Sequence, residues 1–374
     1  MAKSYFCPRC LERIAEESVV YRTRTGEQTE KPRLVYERGP REWSRAIWAG
    51  DPSPLYQVNP KVQADHYARG VHALCPHGHR MPPKAFDIPS LVVGLVGETS
   101  AGKTVYLGTL LEQLDRGRLL PYLDFDPDEY SEALQEQIFG DFYRDGTVPQ
   151  ATAPGRGDAQ REALTRTAMS DSVDKFYLSF FDASGEQSTR QHHGTDNRFL
   201  FVADIVMHFV TPEALGLSRR TGRRRLDQRQ SWHTTNAAVR SAASAARPGT
   251  HAAVIVPKSD DIDPAALDML TDAREDLDYG RGLTLLRAYQ IIEQDSHYIR
   301  DLLRSIEDGR VLVDRIESAY QSVTYHLVSA TGEPADERIN RFQHRRPQRV
   351  LDPLLAALVR VGVLNAREGR RALK

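Results

Sequence analysis

One short stretch of the chain has the residue types and the spacing that bind phosphate groups. From Leu91 to Thr104 the sequence reads LVVGLVGETSAGKT, in which Gly97 is followed after four residues by Gly102, Lys103 and Thr104. Glycines let backbone N–H groups turn inward around phosphate oxygens, a lysine reaches the terminal phosphates, and a threonine hydroxyl can ligand Mg²⁺. The pattern predicts a P-loop. The residues expected to contact the phosphates are Gly97, Glu98, Thr99, Ser100, Ala101, Gly102, Lys103, Thr104 and Val105.

The elements on both sides of this loop are those that a P-loop requires. Leu91 to Val96 is a nearly continuous apolar run, as expected for a buried parallel strand. Val105 to Leu114 has the apolar stripe of a helix, whose positive dipole end would face the phosphates. The alternative is a glycine turn that matches by chance, and the strand-loop-helix order makes it the weaker interpretation.

A second acidic motif follows another predicted strand. Lys175 to Phe181 reads KFYLSFF and ends in Asp182-Ala183-Ser184-Gly185-Glu186. An aspartate in this position would hold Mg²⁺ through water, and the N–H of Gly185 would contact the γ-phosphate and sense its loss. An ordinary β-turn is the alternative, but the position after a buried strand downstream of a P-loop favours the phosphate-binding role.

Two further motifs, Lys258-Ser259-Asp260 and Ser329-Ala330, also follow predicted strands. Lys258 can lay its stem over the face of a purine. Asp260 can accept hydrogen bonds from N1–H and from the 2-amino group, which guanine has and adenine lacks. The backbone N–H of Ala330 can donate to O6. Together these groups would select guanine.

The three cysteines of the chain lie in two short stretches. Cys7 and Cys10 form a CxxC pair, and Cys75 begins the sequence CPHGH. With one histidine they supply the four N and S ligands that a structural zinc ion takes. We expect His79 to be the fourth ligand because it leaves a wider loop after Cys75, with His77 as the alternative. Two unconnected turns with free thiols are the alternative to a zinc site.

Composition limits the broader class of protein. A chain of 374 residues with a formal net charge of −1 has no global field that would attract nucleic acid or a membrane. We see no apolar run long enough for a membrane span and no signal-peptide core at the N-terminus. Three cysteines suit a reducing compartment, so we expect a cytoplasmic protein. The arginine-rich segment from Arg219 to Arg229 is expected to be a solvated, flexible insertion, with a docking site for an acidic partner or for nucleic acid as the alternative.

The motifs and elements predict a domain order and a fold. We expect a zinc-ribbon-like module at residues 1–87, an α/β domain with a doubly wound, mostly parallel sheet at residues 88–365, and a tail at 366–374. In such a sheet ligands bind at the C-terminal ends of the strands, where all four motifs are predicted to lie. Further helices are expected at 128–142, 232–246, from Asp263-Pro264, at 282–320 and at 352–363, with a mobile loop at 144–160.

The four motifs, in this order, resemble those of P-loop GTPases of the Ras-like class over roughly residues 90–365. Their long spacings and the cysteine module are more similar to the bacterial double-GTPase families, which are predicted to act in conflict and defence systems. The resemblance implies GTP and GDP as ligands, Mg²⁺-dependent hydrolysis and a protein effector or a partner encoded by a neighbouring gene. It also implies a switch threonine that ligands Mg²⁺ when GTP is bound, for which Thr152 is the candidate and Thr147 the alternative.

Two positions depart from the pattern of that family. Pro257 stands where an asparagine or threonine side chain would tie the base-reading loop to the P-loop, so guanine affinity is expected to be lower. Glu186 stands where a glutamine would orient the attacking water, and Gln187 follows it. A carboxylate near the γ-phosphate is repelled, so hydrolysis is expected to be slow or to need a partner. The expected catalytic set is Lys103, Asp182, Gly185, Glu186, Gln187 and Thr152.

Three other functions compete with a GTP-hydrolysing switch. The first is a nucleotide-binding scaffold that hardly turns over and docks a partner protein, which Glu186 favours. The second is a P-loop ATPase, which would require the two base-reading motifs to be chance. The third is a zinc-ribbon protein that binds nucleic acid through its arginine cluster, and the near-neutral charge weighs against it.

Overall fold

The computed structural model describes most of the chain and divides it into two units, Met1–Ser90 and Leu91–Lys374. The described residues are 4–7, 10, 12–23, 28–29, 33–38, 44–49, 56–57, 71–79, 81, 89–120, 122–127, 129–149, 163–170, 173–182, 199–219, 225–263, 277–279, 282–336 and 338–365. The predicted domain bounds stay a prediction, and the predicted tail at 366–374 lies outside the described residues.

The N-terminal unit consists of small antiparallel sheets. Its strands are β1 (Ser4–Cys7), β2 (Glu12–Ala15), β3 (Val20–Thr23), β4 (Gln28–Thr29), β5 (Arg33–Arg38), β6 (Ser44–Ala49), β7 (Tyr56–Gln57) and β8 (Val71–Leu74). They form the sheets β1-β2, β4-β3-β8 and β5-β6-β7. Strand β1 ends at Cys7 and β8 ends immediately before Cys75, so strand ends position both parts of the predicted zinc site.

The larger unit is built on a seven-stranded sheet in the order β10-β11-β12-β9-β13-β14-β15. The strands are β9 (Ser90–Gly97), β10 (Asp124–Pro127), β11 (Leu164–Ser170), β12 (Val173–Asp182), β13 (Ile205–Phe209), β14 (His251–Val256) and β15 (Ser322–Leu327). Parallel pairing joins β9, β13, β14 and β15, whereas β10, β11 and β12 pair antiparallel. The mostly parallel α/β fold expected from the sequence is therefore confirmed, with an antiparallel edge.

Helices flank this sheet. They are α1 (Lys103–Asp115), α2 (Glu129–Asp145), α3 (Arg225–Ala245), α4 (Leu285–Ser305), α5 (Glu307–Ala319) and α6 (Asp352–Arg360). Every residue of β13 and β14 is buried, which explains why both read as apolar runs without alternation. The helix expected from Asp263-Pro264 falls on residues 264–276, outside the described residues.

Two helices differ from the sequence-based expectation. The helical region expected at 282–320 is broken at Ile306, whose φ of −95° and ψ of 133° are extended. The final helix, expected at 352–363, ends earlier, at Arg360. Its N-cap is Leu351, and nearly all of its residues are buried. Asp352 instead pairs with the buried guanidinium of Arg349 at 2.5 Å. Helix α6 lies against α4, β14 and β15, and this packing buries its whole circumference.

Three histidines lie in the interior of the sheet, one on each of β13, β14 and β15. His208 is hydrogen-bonded to the Tyr320 hydroxyl at 2.9 Å, and His251 and His326 are both hydrogen-bonded to the hydroxyl of Thr324. Burial lowers the pKa of His208 and of His251 to about 3, and it also lowers the pKa of His326. All three are therefore neutral in the folded protein.

We expect mild acid to destabilise the larger unit. A histidine whose folded pKa lies below the unfolded value of about 6.5 favours unfolding as pH falls from 6.5 toward 3, because only the unfolded chain takes up the proton. Each of the three should contribute about 1.4 kcal/mol of lost unfolding free energy between pH 7.5 and 5.5. Urea unfolding at these two pH values measures the loss. His208→Gln should reduce it by about a third, whereas exposed His233→Gln should not, and identical pH dependence in all three proteins would contradict the assignment.

Candidate functional site

The P-loop joins β9 to α1 through backbone conformations that need small residues. Gly102 has a φ of 81° and Ser100 a φ of 68°, both in the left-handed region, where a Cβ is normally strained. At Gly97 the requirement for glycine comes from a close neighbour and not from a left-handed backbone. A Cβ there would lie 2.8 Å from both the Cβ and the carbonyl oxygen of Phe209 on the neighbouring strand β13. The loop leaves Thr99 exposed at its rim.

Lys103 is buried, whereas lysine side chains are usually exposed. It is the first residue of α1, with 6% of its surface exposed. Its ammonium donates to the carbonyls of Gly97 at 3.1 Å and Glu98 at 2.9 Å. Burial lowers the pKa of Lys103, and the negative charges of Asp182 and Glu98 oppose that shift. A buried ammonium that donates to carbonyls would gain free energy from an anion, and a phosphate is the anion that this loop type accepts.

The second motif meets the first at the end of β12. The Thr104 hydroxyl donates to the Asp182 carboxylate at 2.7 Å, across 78 residues of sequence. Oxygen ligands are what Mg²⁺ prefers, and neighbouring oxygens in its octahedral shell are about 3 Å apart. The Thr104 hydroxyl therefore fits a direct ligand of Mg²⁺, and the neighbouring Asp182 carboxylate is close enough to hold the same ion through a coordinated water.

The two motifs expected to bind the base, Lys258–Asp260 and Ser329-Ala330, also lie together. Lys258 adopts a left-handed φ of 53° and starts the 3₁₀ turn Ser259–Asp261 after β14. The Ser329 hydroxyl donates to the Asp260 carboxylate, and the N–H of Ser259 donates to the Val328 carbonyl at 3.1 Å. Adjacent parallel strands β14 and β15 thus bring the two motifs side by side at their C-terminal ends.

Two residues that contact the P-loop, Thr211 and Ser231, were not predicted from the sequence. The Glu98 carboxylate accepts hydrogen bonds from the Thr211 hydroxyl and from the Ser231 hydroxyl, both at 2.6 Å. Thr211 follows β13, and Ser231 lies on α3. A polar residue directly after a buried parallel strand was the available signal for Thr211, whereas nothing local to α3 distinguishes Ser231.

Four expected catalytic residues lie outside the described residues: Thr152, Gly185, Glu186 and Gln187. The alternative switch threonine is described. The Thr147 hydroxyl donates to the Asp145 carboxylate at 2.6 Å, and the backbone of Thr147 bridges that of Arg341. Assignment of a switch threonine therefore stays a prediction.

The arginine-rich segment was expected to be one solvated insertion, but its two ends belong to ordered parts of the structure. Arg225 begins α3, whose helix continues past Arg229. At the other end Arg219 is held against the base-reading turn, because its backbone N–H donates to the Asp261 carbonyl at 2.8 Å and its side chain donates to the Ile262 carbonyl at 2.7 Å. Only residues 220–224 lie outside the described residues.

The N-terminal unit brings Cys7, Cys10, Cys75 and His79 together, with their ligand atoms all within 4.8 Å of one another. His79 Nδ1 is 3.3 Å from the Cys75 sulfur and 3.8 Å from the Cys7 sulfur, and the Cys10 and Cys75 sulfurs are 4.0 Å apart. A tetrahedral zinc shell puts neighbouring N and S ligands about 3.5–3.8 Å apart. The four residues therefore fit a zinc ion closely.

The turn after Cys75 favours His79 over His77 as the fourth ligand. The N–H of His79 donates to the Cys75 sulfur at 3.4 Å, and Gly78, at a φ of 84°, allows the chain to turn back. His77 is instead bonded to the Glu12 carboxylate at 3.0 Å. Burial and the neighbouring cysteines raise the pKa of the Cys10 thiol, so a cation is needed to hold several thiolates here.

We expect about one zinc per chain in protein purified without chelators, since four protein ligands form one closed site. Cys75→Ser and His79→Ala should lose the metal and unfold the N-terminal unit at lower denaturant concentration than the larger unit. His77→Ala is the matched control and should keep the zinc. Metal analysis of the four proteins is the measurement. Wild type without zinc, or metal lost from the His77 variant and kept in the His79 variant, would refute this ligand set.

No helix in the described part of the chain is both long enough and apolar enough to span a membrane. No curated protein sequence matches the chain. The sequence model of the family Double-GTPase 2 matches residues 91–290, which include the P-loop, Asp182 and the Lys258–Asp260 turn. The match covers more than half of the chain and begins at the strand that leads into the P-loop, so the protein belongs to the Double-GTPase 2 family of P-loop GTPases.

Proposed function

We propose that the protein binds and hydrolyses GTP in a Mg²⁺-dependent cycle and acts as a molecular switch. The observation that carries this proposal is that the described parts of the four motifs follow strands of one sheet and pair there, Thr104 with Asp182 and Asp260 with Ser329. Lys103, the Thr104–Asp182 pair and the Asp260–Ser329 pair each contribute a different part of a guanine-nucleotide site. In an α/β sheet ligands bind at the C-terminal ends of the strands.

Each described residue has a distinct part in nucleotide binding. The ammonium of Lys103 exchanges the carbonyls of Gly97 and Glu98 for the β- and γ-phosphate oxygens. Thr104 and Asp182 would hold Mg²⁺, which when bound neutralises charge on the phosphates. Lys258 covers the purine face, Asp260 accepts from the guanine N1–H and 2-amino groups, and the N–H of Ala330 donates to O6.

The residues expected to act on the attacking water are assigned from sequence alone. Gly185 would contact the γ-phosphate, and Thr152 would complete the magnesium shell in the GTP state. Glu186 places a negative charge where the water-orienting glutamine is expected, and Gln187 is the nearest residue able to replace it. We infer that intrinsic hydrolysis is slow and that a protein partner completes the site.

The Glu186 departure also supports a second candidate function, a nucleotide-binding scaffold with little turnover that docks a protein partner. In either case guanine nucleotide is the ligand, and the near-neutral net charge makes nucleic acid an improbable partner. The proposed setting is the cytoplasm, where GTP is available, within a bacterial conflict or defence system. The zinc module is the proposed docking part.

Single-turnover hydrolysis separates the switch from the scaffold. We expect wild type to hydrolyse bound GTP slowly with Mg²⁺ and not at all with chelator, and Glu186→Gln to be about tenfold faster, because a charge of like sign to the γ-phosphate is removed. Glu307→Gln on the exposed face of α5 is the control and should match wild type. If neither wild type nor Glu186→Gln turns over GTP that is demonstrably bound, the scaffold is the better description.

A further inference from the structure

The P-loop helix bears a row of polar side chains that bind the segment following β15. Tyr106, Thr109 and Glu112 recur at three-residue intervals and so lie along one side of α1. The Tyr106 hydroxyl donates to the Val350 carbonyl at 3.1 Å. The guanidinium of Arg345 donates to the Glu112 carboxylate at 2.6 and 3.1 Å. This row fixes the position of the segment relative to the P-loop helix.

The middle contact of the row reaches the base-reading loop itself. The hydroxyl of Thr109, a fully buried residue, donates to the Ala330 carbonyl at 3.1 Å. The preceding peptide is also held, because the Ser329 carbonyl accepts from the N–H of Gln348 at 2.8 Å. Both peptide units that flank Ala330 are therefore anchored, including the one whose N–H is assigned to the guanine O6.

Pro257, the residue before Lys258, cannot donate a hydrogen bond that would hold the Lys258–Asp260 turn against the P-loop. Pro257 has no side-chain donor and no backbone N–H, so the turn at Lys258–Asp260 cannot be tied to the P-loop from this position. The turn is instead bonded to its neighbour through Ser329, which donates to Asp260. The neighbour is bonded to α1 through Thr109. The connection from base to phosphate site thus runs through the second loop.

We propose that Thr109 is a specificity-determining positioning residue, which aims the Ala330 N–H at the purine 6-oxygen and couples the base-reading loops to the P-loop helix. The proposal rests on the proposed binding of guanine nucleotide at this site. Its physical basis is that a donor discriminates between bases only when it is held in place. Without the threonine hydroxyl the Ala330 carbonyl loses its donor. Of the two contacts described above the Gln348 contact then remains, so the Ala330 N–H is held from one side instead of two.

Thr109→Val tests this role because valine keeps the shape of threonine and removes only the hydroxyl. We expect GDP to bind about tenfold more weakly to this variant. The decisive ligand pair is GDP and 6-thio-GDP, whose sulfur is a poorer acceptor than the 6-oxygen. Wild type should prefer GDP over the thio analogue, and Thr109→Val should lose most of that preference. Thr109→Ser keeps the hydroxyl and should restore it.

The control is Thr235→Val on α3, a buried threonine whose hydroxyl has no partner in the part of the chain that the structure describes. It should bind both ligands as wild type does. If Thr109→Val unfolds, Thr109→Ala repeats the test with the best helix-forming residue. Equal weakening of GDP and 6-thio-GDP, or no weakening, overturns the inference. Wild type that binds GDP no better than ADP would instead overturn the proposed function.

Discussion

Lys103→Met should weaken GTP binding at least about a hundredfold, because the variant loses the charge-assisted hydrogen bonds to the terminal phosphates. Methionine is a better replacement than alanine here. The Lys103 side chain is buried, and methionine, a flexible apolar side chain of similar length, can fill the space that leads to the carbonyls of Gly97 and Glu98 without placing an ammonium there. Equilibrium binding of a fluorescent GTP analogue measures the loss.

The loss should come from the phosphate site and not from the fold. Two carbonyls lose a donor in Lys103→Met, so a decrease in unfolding free energy of about 1–3 kcal/mol is expected, and binding must be measured on protein shown to be folded. Lys175→Met is the matched control, since that lysine is exposed on β12 and should leave affinity unchanged. Unaltered GTP affinity in folded Lys103→Met would rule out the P-loop assignment.

The phosphate site could be predicted from sequence because its determinants are local. Spacing between Gly97 and Gly102, an apolar strand before and a helix after are all contained in one short window. The neighbouring positions of Asp260 and Ser329 followed from a general rule, that adjacent parallel strands bring their C-terminal ends to one edge. The structure adds hydrogen bonds between these motifs, at Thr104–Asp182 and at Asp260–Ser329, and the roles of the residues in nucleotide binding stay a prediction.

Long-range contacts between common residue types were not predictable in the same way. Thr109 reaches Ala330 across 221 residues, and Ser231 reaches Glu98 across 133. Threonine and serine on helices are ordinary surface residues in most proteins, so nothing in the sequence around them signals a partner. The contacts of the histidines in the sheet were not predictable either, because the hydroxyl partners of His208 and His251 are distant in sequence.

Hydrogen bonds connect the P-loop and its helix to the loops that are proposed to bind the base. Glu98 connects the P-loop to α3 and to the end of β13, and α1 connects it to the segment after β15. The P-loop and the helix that follows it are therefore held to the surrounding structure at two places.

Base selection is the second large effect, and it distinguishes a GTPase from every ATP-based function. Asp260 is expected to accept hydrogen bonds from N1–H and the 2-amino group of guanine. Adenine offers neither donor, and a site built for them penalises a ligand that leaves the carboxylate unpaired. ATP should therefore bind at least roughly a hundredfold more weakly than GTP, a difference of about 3 kcal/mol.

Asp260→Asn should transfer the preference from GTP to xanthosine triphosphate, because the new amide can donate to the carbonyl at the purine 2-position. The amide oxygen can still accept from Ser329, so the two base-reading loops should stay joined. Asp261→Asn is the matched control, since the Asp261 carboxylate accepts from the Ser218 hydroxyl at 2.8 Å and has no assigned contact with the base. Competition binding with GTP, ATP and xanthosine triphosphate ranks the three proteins. A wild type that prefers ATP, or a ranking that Asp260→Asn leaves unchanged, would show that this turn does not read the base.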